Sequence, residues 1–556
     1  MARRVAVIGG GISGLTCIKC CLDEGLEPVC FESSDDIGGL WRFKEEPEKD
    51  RASIYQSVII NTSKEMMSFS DFPIPAHFPN FMHNSLIMDY FRMYAEHFKL
   101  LRHVRLQTSV CSVRQRPDFA RSGQWDVVTK NRQGQEERHI FDAIFVCIGH
   151  HASPHIPLKD FPGIDTFKGK WFHSRDYKSP EEWQGKRVVV IGIGNSGGDI
   201  AVELSRVAKQ VFLSTRRGSW IVNRVWENGF PMDMGFSRLA HMMSAILPST
   251  LTSTIGERKL NKRFNHKLYS IKPKHRLVSQ HPTINDELPN RILSGTVLVK
   301  TNVSRIEGSS VMFEDGTVEE DIDLVVFATG YSFSFPFLPS SVISISENKT
   351  SLYKYVFPPT LEQPTLAIIG LIQPLGAVMP ISEMQARWAT RIFKGLNKLP
   401  PVNRMLKDIN VTKEKMEKRY VKSQRHTIEV DYVYYMDELA KQFGVQPKLL
   451  RLLLRDPRLG LSVLLGPCTP YQYRLYGPGQ WAGARQAILT QWERVAQPMK
   501  TRAVPESPSS RLPLLLALSG AALVVATVCA RINFPDLLAS LSNWRMYVPK
   551  PFLHMV

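Results

Sequence analysis

The residues with the most chemical content are glycine-rich clusters, and the chain carries two of them. The first, Gly9-Gly10-Gly11-Ile12-Ser13-Gly14, follows directly on the β-branched run Arg4-Val5-Ala6-Val7-Ile8. At such a strand-to-helix turn, positions without side chains let backbone N–H groups close on a pyrophosphate, and the helix dipole adds attraction for its charge. A single G-x-G-x-x-G is weak evidence. Here Gly9, Gly11 and Gly14 are joined by a second apolar run, Pro28-Val29-Cys30-Phe31, which ends at Glu32. A carboxylate at that place can accept hydrogen bonds from an adenosine ribose. The next segment, Ile37-Gly38-Gly39-Leu40-Trp41, suits further close backbone approach, which adds Gly39, Leu40 and Trp41 to the candidate cofactor residues.

The second cluster, Gly192-Ile193-Gly194-Asn195-Ser196-Gly197, again follows a β-branched run. The next run, Val211-Phe212-Leu213, leads into Ser214-Thr215-Arg216-Arg217, with no acid where a free ribose 2′-hydroxyl would want one. Arginine pairs with a 2′-phosphate, so this cradle is expected to take NADPH rather than NADH. Its candidate residues are Gly192, Gly194, Asn195, Ser196, Gly197, Ser214, Thr215 and Arg216; a plain surface arginine pair is the other reading.

Five short apolar runs end in glycine and must position these clusters: Arg4 to Gly9, Ala143 to Gly149, Arg187 to Gly192, Leu324 to Gly330 and Leu366 to Gly370. Alternating with helical stretches, they read as buried parallel strands. The expected fold is therefore α/β, with two doubly wound Rossmann-like dinucleotide-binding domains, a helical membrane-associating insertion and a C-terminal transmembrane helix. At 556 residues and 43% hydrophobic composition the chain can bury several domain cores.

The net charge of +18 suits anionic cofactors or lipid; no basic-aromatic module points to nucleic acid. Eight scattered cysteines exclude a disulfide framework and fit a reducing compartment. Cys17-x-x-Cys20 lacks a second pair and reads as buried helix thiols. His150, His151 and His155 lack accompanying thiols or carboxylates and read as loop residues, so no metal is expected. From Met234 to Asn285 the only acid is Glu257, and Met242, Met243, Ile246 and Leu247 precede a basic series running from Arg258 to Arg276. That pattern fits a monotopic face on lipid head groups or an ordinary solvated helix. Leu512 to Ala530 is free of charge and flanked by Arg511 and Arg531, long enough to cross a bilayer as a helix.

Between the two clusters lies Phe167-Lys168-Gly169-Lys170-Trp171-Phe172-His173-Ser174-Arg175-Asp176-Tyr177. It resembles the F-x-G-x-x-x-H-x-x-x-Y signature of flavin-containing monooxygenases; the related Baeyer–Villiger monooxygenases usually end the string with Trp. The resemblance extends over essentially the whole chain, including Phe327-Ala328-Thr329-Gly330-Tyr331 and Gly466 to Tyr471. Among vertebrate isoforms, Arg51 to Tyr55, Ser57 to Met67 and Ser279 to Thr283 look like the fifth, although the tail beyond Arg531 is longer.

The resemblance implies FAD in the first cradle, NADPH in the second, and capture of dioxygen as a flavin peroxide. That peroxide would oxygenate small lipophilic xenobiotics: soft nitrogen and sulfur nucleophiles, and ketones by Baeyer–Villiger insertion to esters. It places Asn61, in Ile59-Ile60-Asn61-Thr62-Ser63, beside the flavin as a catalytic residue, with Thr62 at the cofactor. It also puts His281 on the substrate path as a second catalytic candidate, Asn195 at NADPH, and His173 in the interdomain linker. The implied layout is an FAD-binding domain at 1–154 and 331–442, an NADPH-binding domain at 155–213 and 296–330, and the insertion at 214–295. A C-terminal region and linker at 443–510, an anchor at 511–531 and a tail at 532–556 complete it. The expected location is the endoplasmic reticulum membrane, with the catalytic domains facing the cytosol and lipid met through the anchor and the insertion. Self-association into a homodimer is left open.

Three rivals share parts of this pattern. A disulfide reductase needs a redox pair such as C-x-x-x-x-C, which the chain lacks. An NADPH oxidase releasing hydrogen peroxide is the same machine with an unprotected site. A non-catalytic scaffold would keep FAD for stability alone.

Overall fold

In the computed structural model, residues 3–421 and 427–502 are described. All five glycine-terminated runs are strands. The first sheet begins with β1 (Arg4–Ile8), which is followed by helix α1 (Ile12–Asp23), β2 (Glu27–Phe31), β3 (Val104–Arg105) and β4 (Ala143–Val146). The chain then builds a second sheet from β5 (Lys170–His173), β6 (Arg187–Ile191), helix α2 (Asn195–Leu204), β7 (Gln210–Ser214), β8 (Val297–Lys300) and β9 (Leu324–Phe327). It returns with β10 (Leu366–Ile368) to finish the first.

Both sheets are five-stranded and parallel, in the orders β10-β4-β1-β2-β3 and β8-β7-β6-β9-β5. In each, the strand that feeds the glycine cluster is central, with both edges hydrogen-bonded. That explains why β1, β6 and β9 read as unbroken Val/Ile/Leu runs instead of alternating ones. Val5 pairs with Pro28 and Val7 with Cys30 on one side of β1, and the same residues pair with Ala143 and Phe145 on the other.

The insertion is closed at its base by a two-residue parallel pairing, Ile221–Val222 with Thr283–Ile284. Between these lie α3 (Arg238–Ile246), capped by the Ser237 hydroxyl accepting from Ala240 N at 3.1 Å, and α4 (Ser249–Arg263). Ile246, Leu251 and Ile255 are exposed on these helices, and Trp220, Val222 and Leu260 form a small core beneath. No helix among the described residues is long and apolar enough to cross a membrane, and the segment 511–531 lies outside them.

A later helix, α5 (Val378–Lys394), packs on α1, and a buried ionic network ties both to the C-terminal region. Arg474 donates to Glu383 Oε1 at 2.7 Å and to Ser70 Oγ at 2.6 Å, and it lies 2.8 Å from Asp71 Oδ2. Lys19 of α1 meets Asp71 at 2.6 Å. A guanidinium this far from water is tolerable only because each of its faces has a partner.

Candidate functional site

Both cradles are shaped by close backbone packing. Gly9 and Gly192 hold φ of +104° and +111°, values that L side chains rarely adopt. A Cβ on Gly14 would sit 1.9 Å from Gly9 O, and one on Gly197 would sit 1.8 Å from Gly192 O. These glycines therefore let each helix butt against its own turn. Gly194 differs, because a Cβ there would meet nothing within 4 Å. Gly11 faces Gly39, whose Cβ would come 3.1 Å from Gly11 Cα, so the Gly39–Trp41 turn lies against the first cradle. Helices α1 and α2 start at Gly11 and Gly194 with no side-chain cap and no acid in the first turn. Their leading N–H groups and dipoles stay available to an anion. The residues present therefore fit a pyrophosphate at both sites.

Glu32 stands at the end of β2 with its carboxylate turned into the loop, accepting from Gly10 N at 2.6 Å and Ser34 N at 2.8 Å. It fixes the glycine turn first; Oε1 also accepts from the Ser33 hydroxyl at 3.3 Å, and Oε2 keeps a lone pair for a ribose hydroxyl. Leu40, Trp41 and Thr62 are half-buried. At the second cradle, Ser214 is buried with its hydroxyl donated to Thr301 O at 2.9 Å, and Thr215 Oγ1 accepts from Gly218 N at 3.0 Å. Those two side chains shape the turn. Arg216 and Arg217 are exposed beyond it, with no ion-pair partner among the described residues. Asn195 Oδ1 accepts from Ile284 N at 2.8 Å, which docks the base of the insertion on the cradle.

Residues from both sheets meet around a cavity of about 170 Å³ lined in part by Gly194, Asn195, Ser196, His150, Tyr331 and Gln373. Burial pushes His151 down to about 4 and His150 well below the usual imidazole value, so both are neutral at physiological pH. Their rings lie 4.2 Å apart. Among the described residues no group of three or more His, Cys, Asp or Glu side chains is placed to hold a metal ion. Cys17 and Cys20 lie buried in α1, with Cys17 Sγ 3.6 Å from that of Cys147.

His173 is fully buried at the end of β5. Its Nδ1 accepts from Arg175 N at 3.1 Å, so in the neutral ring Nε2 carries the proton and donates to Gly330 O at 2.9 Å. Both nitrogens are spent on backbone, which suits a linker organiser. Arg175 continues the tie, donating from Nε to Arg51 O at 3.0 Å, and Arg51 Nη2 donates to Gly39 O at 3.1 Å.

Asn61 is half-buried on the segment after Tyr55, and that segment is joined to the second cradle there. The Tyr55 hydroxyl donates to Asp199 Oδ2 of α2 at 2.5 Å, and Asn285 Nδ2 donates to Asp199 Oδ1 at 2.7 Å. Burial raises the Asp199 carboxyl from its ordinary value. Arg224 Nη2 donates to Asn61 Oδ1 at 2.7 Å, and Ser63 N donates to the buried Asp233 at 2.7 Å. His281 lies 3.6 Å from Glu429, whose neighbours Thr427 and Ile428 line the cavity. Arg224, Asp233 and Glu429 were not singled out from the sequence; they lie far along the chain from Asn61 and His281, in no spaced motif.

A family model described as flavin-binding monooxygenase-like matches residues 2–532. The chain is 62% identical over 508 residues to flavin-containing monooxygenase 5 of Rattus norvegicus, covering 91% of this chain and 95% of that one. Among solved structures it is similar to S-allyl-L-cysteine S-oxygenase from Allium sativum, with TM-score 0.61, 24% identity, and coverage of 89% and 99%. It is also similar to a cyclohexanone-bound cyclohexanone monooxygenase, with TM-score 0.57, 16% identity, and coverage of 79% and 98%. Two helix N-termini left open to an anion, and a match along nearly the whole chain, lead to one conclusion: the chain belongs to the flavin-binding monooxygenase-like family and is a monooxygenase with FAD and NADPH as cofactors.

Proposed function

We propose that the chain oxygenates small lipophilic xenobiotics, inserting oxygen into ketones to give esters and transferring it to soft nitrogen and sulfur nucleophiles. The balance is substrate, dioxygen, NADPH and a proton giving oxygenated product, NADP⁺ and water. The observation that supports it best is the seam: the segment that carries Asn61 is tied to α2 by Tyr55, whose hydroxyl donates to Asp199, and to the insertion by Arg224, which donates to Asn61 Oδ1.

FAD in the first cradle would supply dioxygen activation after reduction by NADPH. The protein's part is placement. Gly9, Gly11, Gly14, Glu32 and the Gly39–Trp41 turn would hold the first pyrophosphate and ribose. Gly192, Gly194, Asn195, Ser196 and Gly197 would hold the second, with Arg216 for its 2′-phosphate. Asn61, able to donate and accept, would hold the reacting oxygen and Thr62 would border the cofactor. Burial keeps His150 and His151 uncharged, so neither brings an imidazolium to the cavity.

His281 borders the substrate route in this reading. Exchanging it for glutamate would set a second carboxyl against Glu429 and is expected to change the ketone-to-thioether product ratio by several-fold. An unaltered ratio removes His281 from the site.

The deciding experiment offers one ketone and one thioether together, identifies products by mass spectrometry, and measures NADPH consumed and hydrogen peroxide released. Ester, sulfoxide or both in proportion to NADPH are expected. Hydrogen peroxide alone would make the enzyme an NADPH oxidase. We further propose attachment to the endoplasmic reticulum through 511–531 and the insertion, with the catalytic body in the cytosol. Exposed Ile246, Leu251 and Ile255 beside the basic residues of α4 support this. Protease protection of the body in sealed microsomes would overturn it.

A further inference from the structure

We propose that Arg224 is the residue that positions Asn61, by fixing which end of its amide faces the reacting oxygen. This rests on the reading that Asn61 acts at the flavin. A guanidinium has donors and no acceptor, so the atom that Arg224 Nη2 meets at 2.7 Å can only be the amide oxygen. The Asn61 NH₂ must then point away from Arg224. With its carbonyl occupied, Asn61 meets the cofactor side as a donor. Without Arg224 the amide is free to rotate by half a turn and present an acceptor instead.

Arg224 is itself held. Asp286 accepts from its backbone N at 2.9 Å and from Nη1 at 3.0 Å. The guanidinium is mostly shielded from water, at 14% side-chain exposure, so it has little freedom to leave. It follows the short strand Ile221–Val222, whose partner Thr283–Ile284 is docked on Asn195 of the second cradle. A continuous path therefore runs from the second cradle through the base of the insertion to Asn61. Ser63 N, accepted by Asp233 from the same insertion, anchors the other end of the turn. The insertion thus has a task at the reacting centre besides any contact with lipid.

The test compares hydrogen peroxide released with oxygenated product formed, using one thioether as substrate. It uses the FAD-loaded full chain carrying Arg224→Met, Arg224→Lys, Asn61→Ala, or Arg224→Met with Asn61→Ala. Bound-flavin absorbance and melting temperature verify folding, and anaerobic flavin reduction by NADPH is measured in parallel. Arg224→Met is expected to raise the peroxide-to-product ratio by roughly tenfold or more, the scale of one charged hydrogen bond, while flavin reduction stays within about twofold. Arg224→Lys keeps a donor and recovers part of the loss; Asn61→Ala uncouples as strongly, and the double variant is no worse than Asn61→Ala alone. Equal effects of Lys and Met, or effects of Arg224→Met and Asn61→Ala that multiply, would overturn the proposal. Unchanged coupling in Asn61→Ala would instead remove the reading on which it rests. Should Arg224→Met not fold, Asp286→Asn loosens the same guanidinium and is expected to uncouple in the same direction; unchanged coupling there counts against the proposal.

Discussion

Replacing Gly194 with alanine separates what the second cradle does for the fold from what it does for its cofactor. Gly194 has φ −74° and ψ −177°, an extended conformation open to any residue. The added methyl meets no protein atom within 4 Å. Stability should therefore hold or rise by about 0.4–1 kcal/mol, because alanine narrows the unfolded ensemble. If this turn is a phosphate cradle, as proposed, the same methyl would intrude on the pyrophosphate oxygens that reach for the N–H groups opening α2. Losing one charge-assisted hydrogen bond costs about 1.5–3 kcal/mol, or roughly 10- to 150-fold in the dissociation constant for NADPH. The dependence of anaerobic flavin reduction on NADPH concentration reads that constant, and a thermal melt reads the fold. Gly197→Ala is the counterpart: its Cβ would fall 1.8 Å from Gly192 O, so α2 must shift and the melting temperature must drop. Unchanged NADPH affinity in Gly194→Ala, or a destabilised protein, would refute the assignment of this turn as a phosphate cradle.

Burial pushes the Asp233 carboxyl up to about 6. The folded chain then binds more protons than the unfolded one between roughly pH 4 and 6, so this group favours folding at the acid end and its contribution is lost as pH rises through about 6. The span corresponds to roughly 3 kcal/mol. The melting temperature of Asp233→Asn relative to the parent should climb over that window and then level; a decline would contradict the assignment. Removing Glu383 as alanine leaves the buried Arg474 with Asp71 as its remaining carboxylate partner and is expected to cost about 3–5 kcal/mol, read as a lower denaturation midpoint. A loss below about 1 kcal/mol would show the network to be solvated. Cys111 is the exposed thiol among the described cysteines, whereas burial raises the thiols of Cys17, Cys20, Cys21, Cys30 and Cys468. Peptide mapping after native alkylation should find Cys111 modified and those five protected; labelling of Cys17 would disprove the packing of α1.

The parallel sheets were legible because a strand buried on both faces has to be an unbroken apolar run, and a run ended by glycine marks its own turn. Val5 to Gly9 and Val188 to Gly192 are of this kind. The glycine spacing was readable for the same local reason. What could not be read were meetings of distant residues. Arg224 reaches Asn61 from 163 positions away, and nothing in either neighbourhood forecasts the other. The edge strand Lys170–His173 carries exposed Lys170 and Trp171, so hydropathy gave no sign that it would complete the second sheet beside β9. Glu32 was placed correctly at the end of β2, but its bond to Gly10 N depends on a fold-back that spacing does not encode.

The return of the chain at β10 bears on how the protein is made. Leu366 pairs with Ile144, so the strand that closes the first sheet leaves the ribosome long after its neighbour. At about 5–20 residues per second that delay is roughly 10–40 s. Throughout it, one side of β4 offers bare N–H and C=O groups and the underside of α1 awaits α5. A nascent chain in this state has an adhesive margin, and the half built on the first sheet matures only after the second sheet has been synthesised in full.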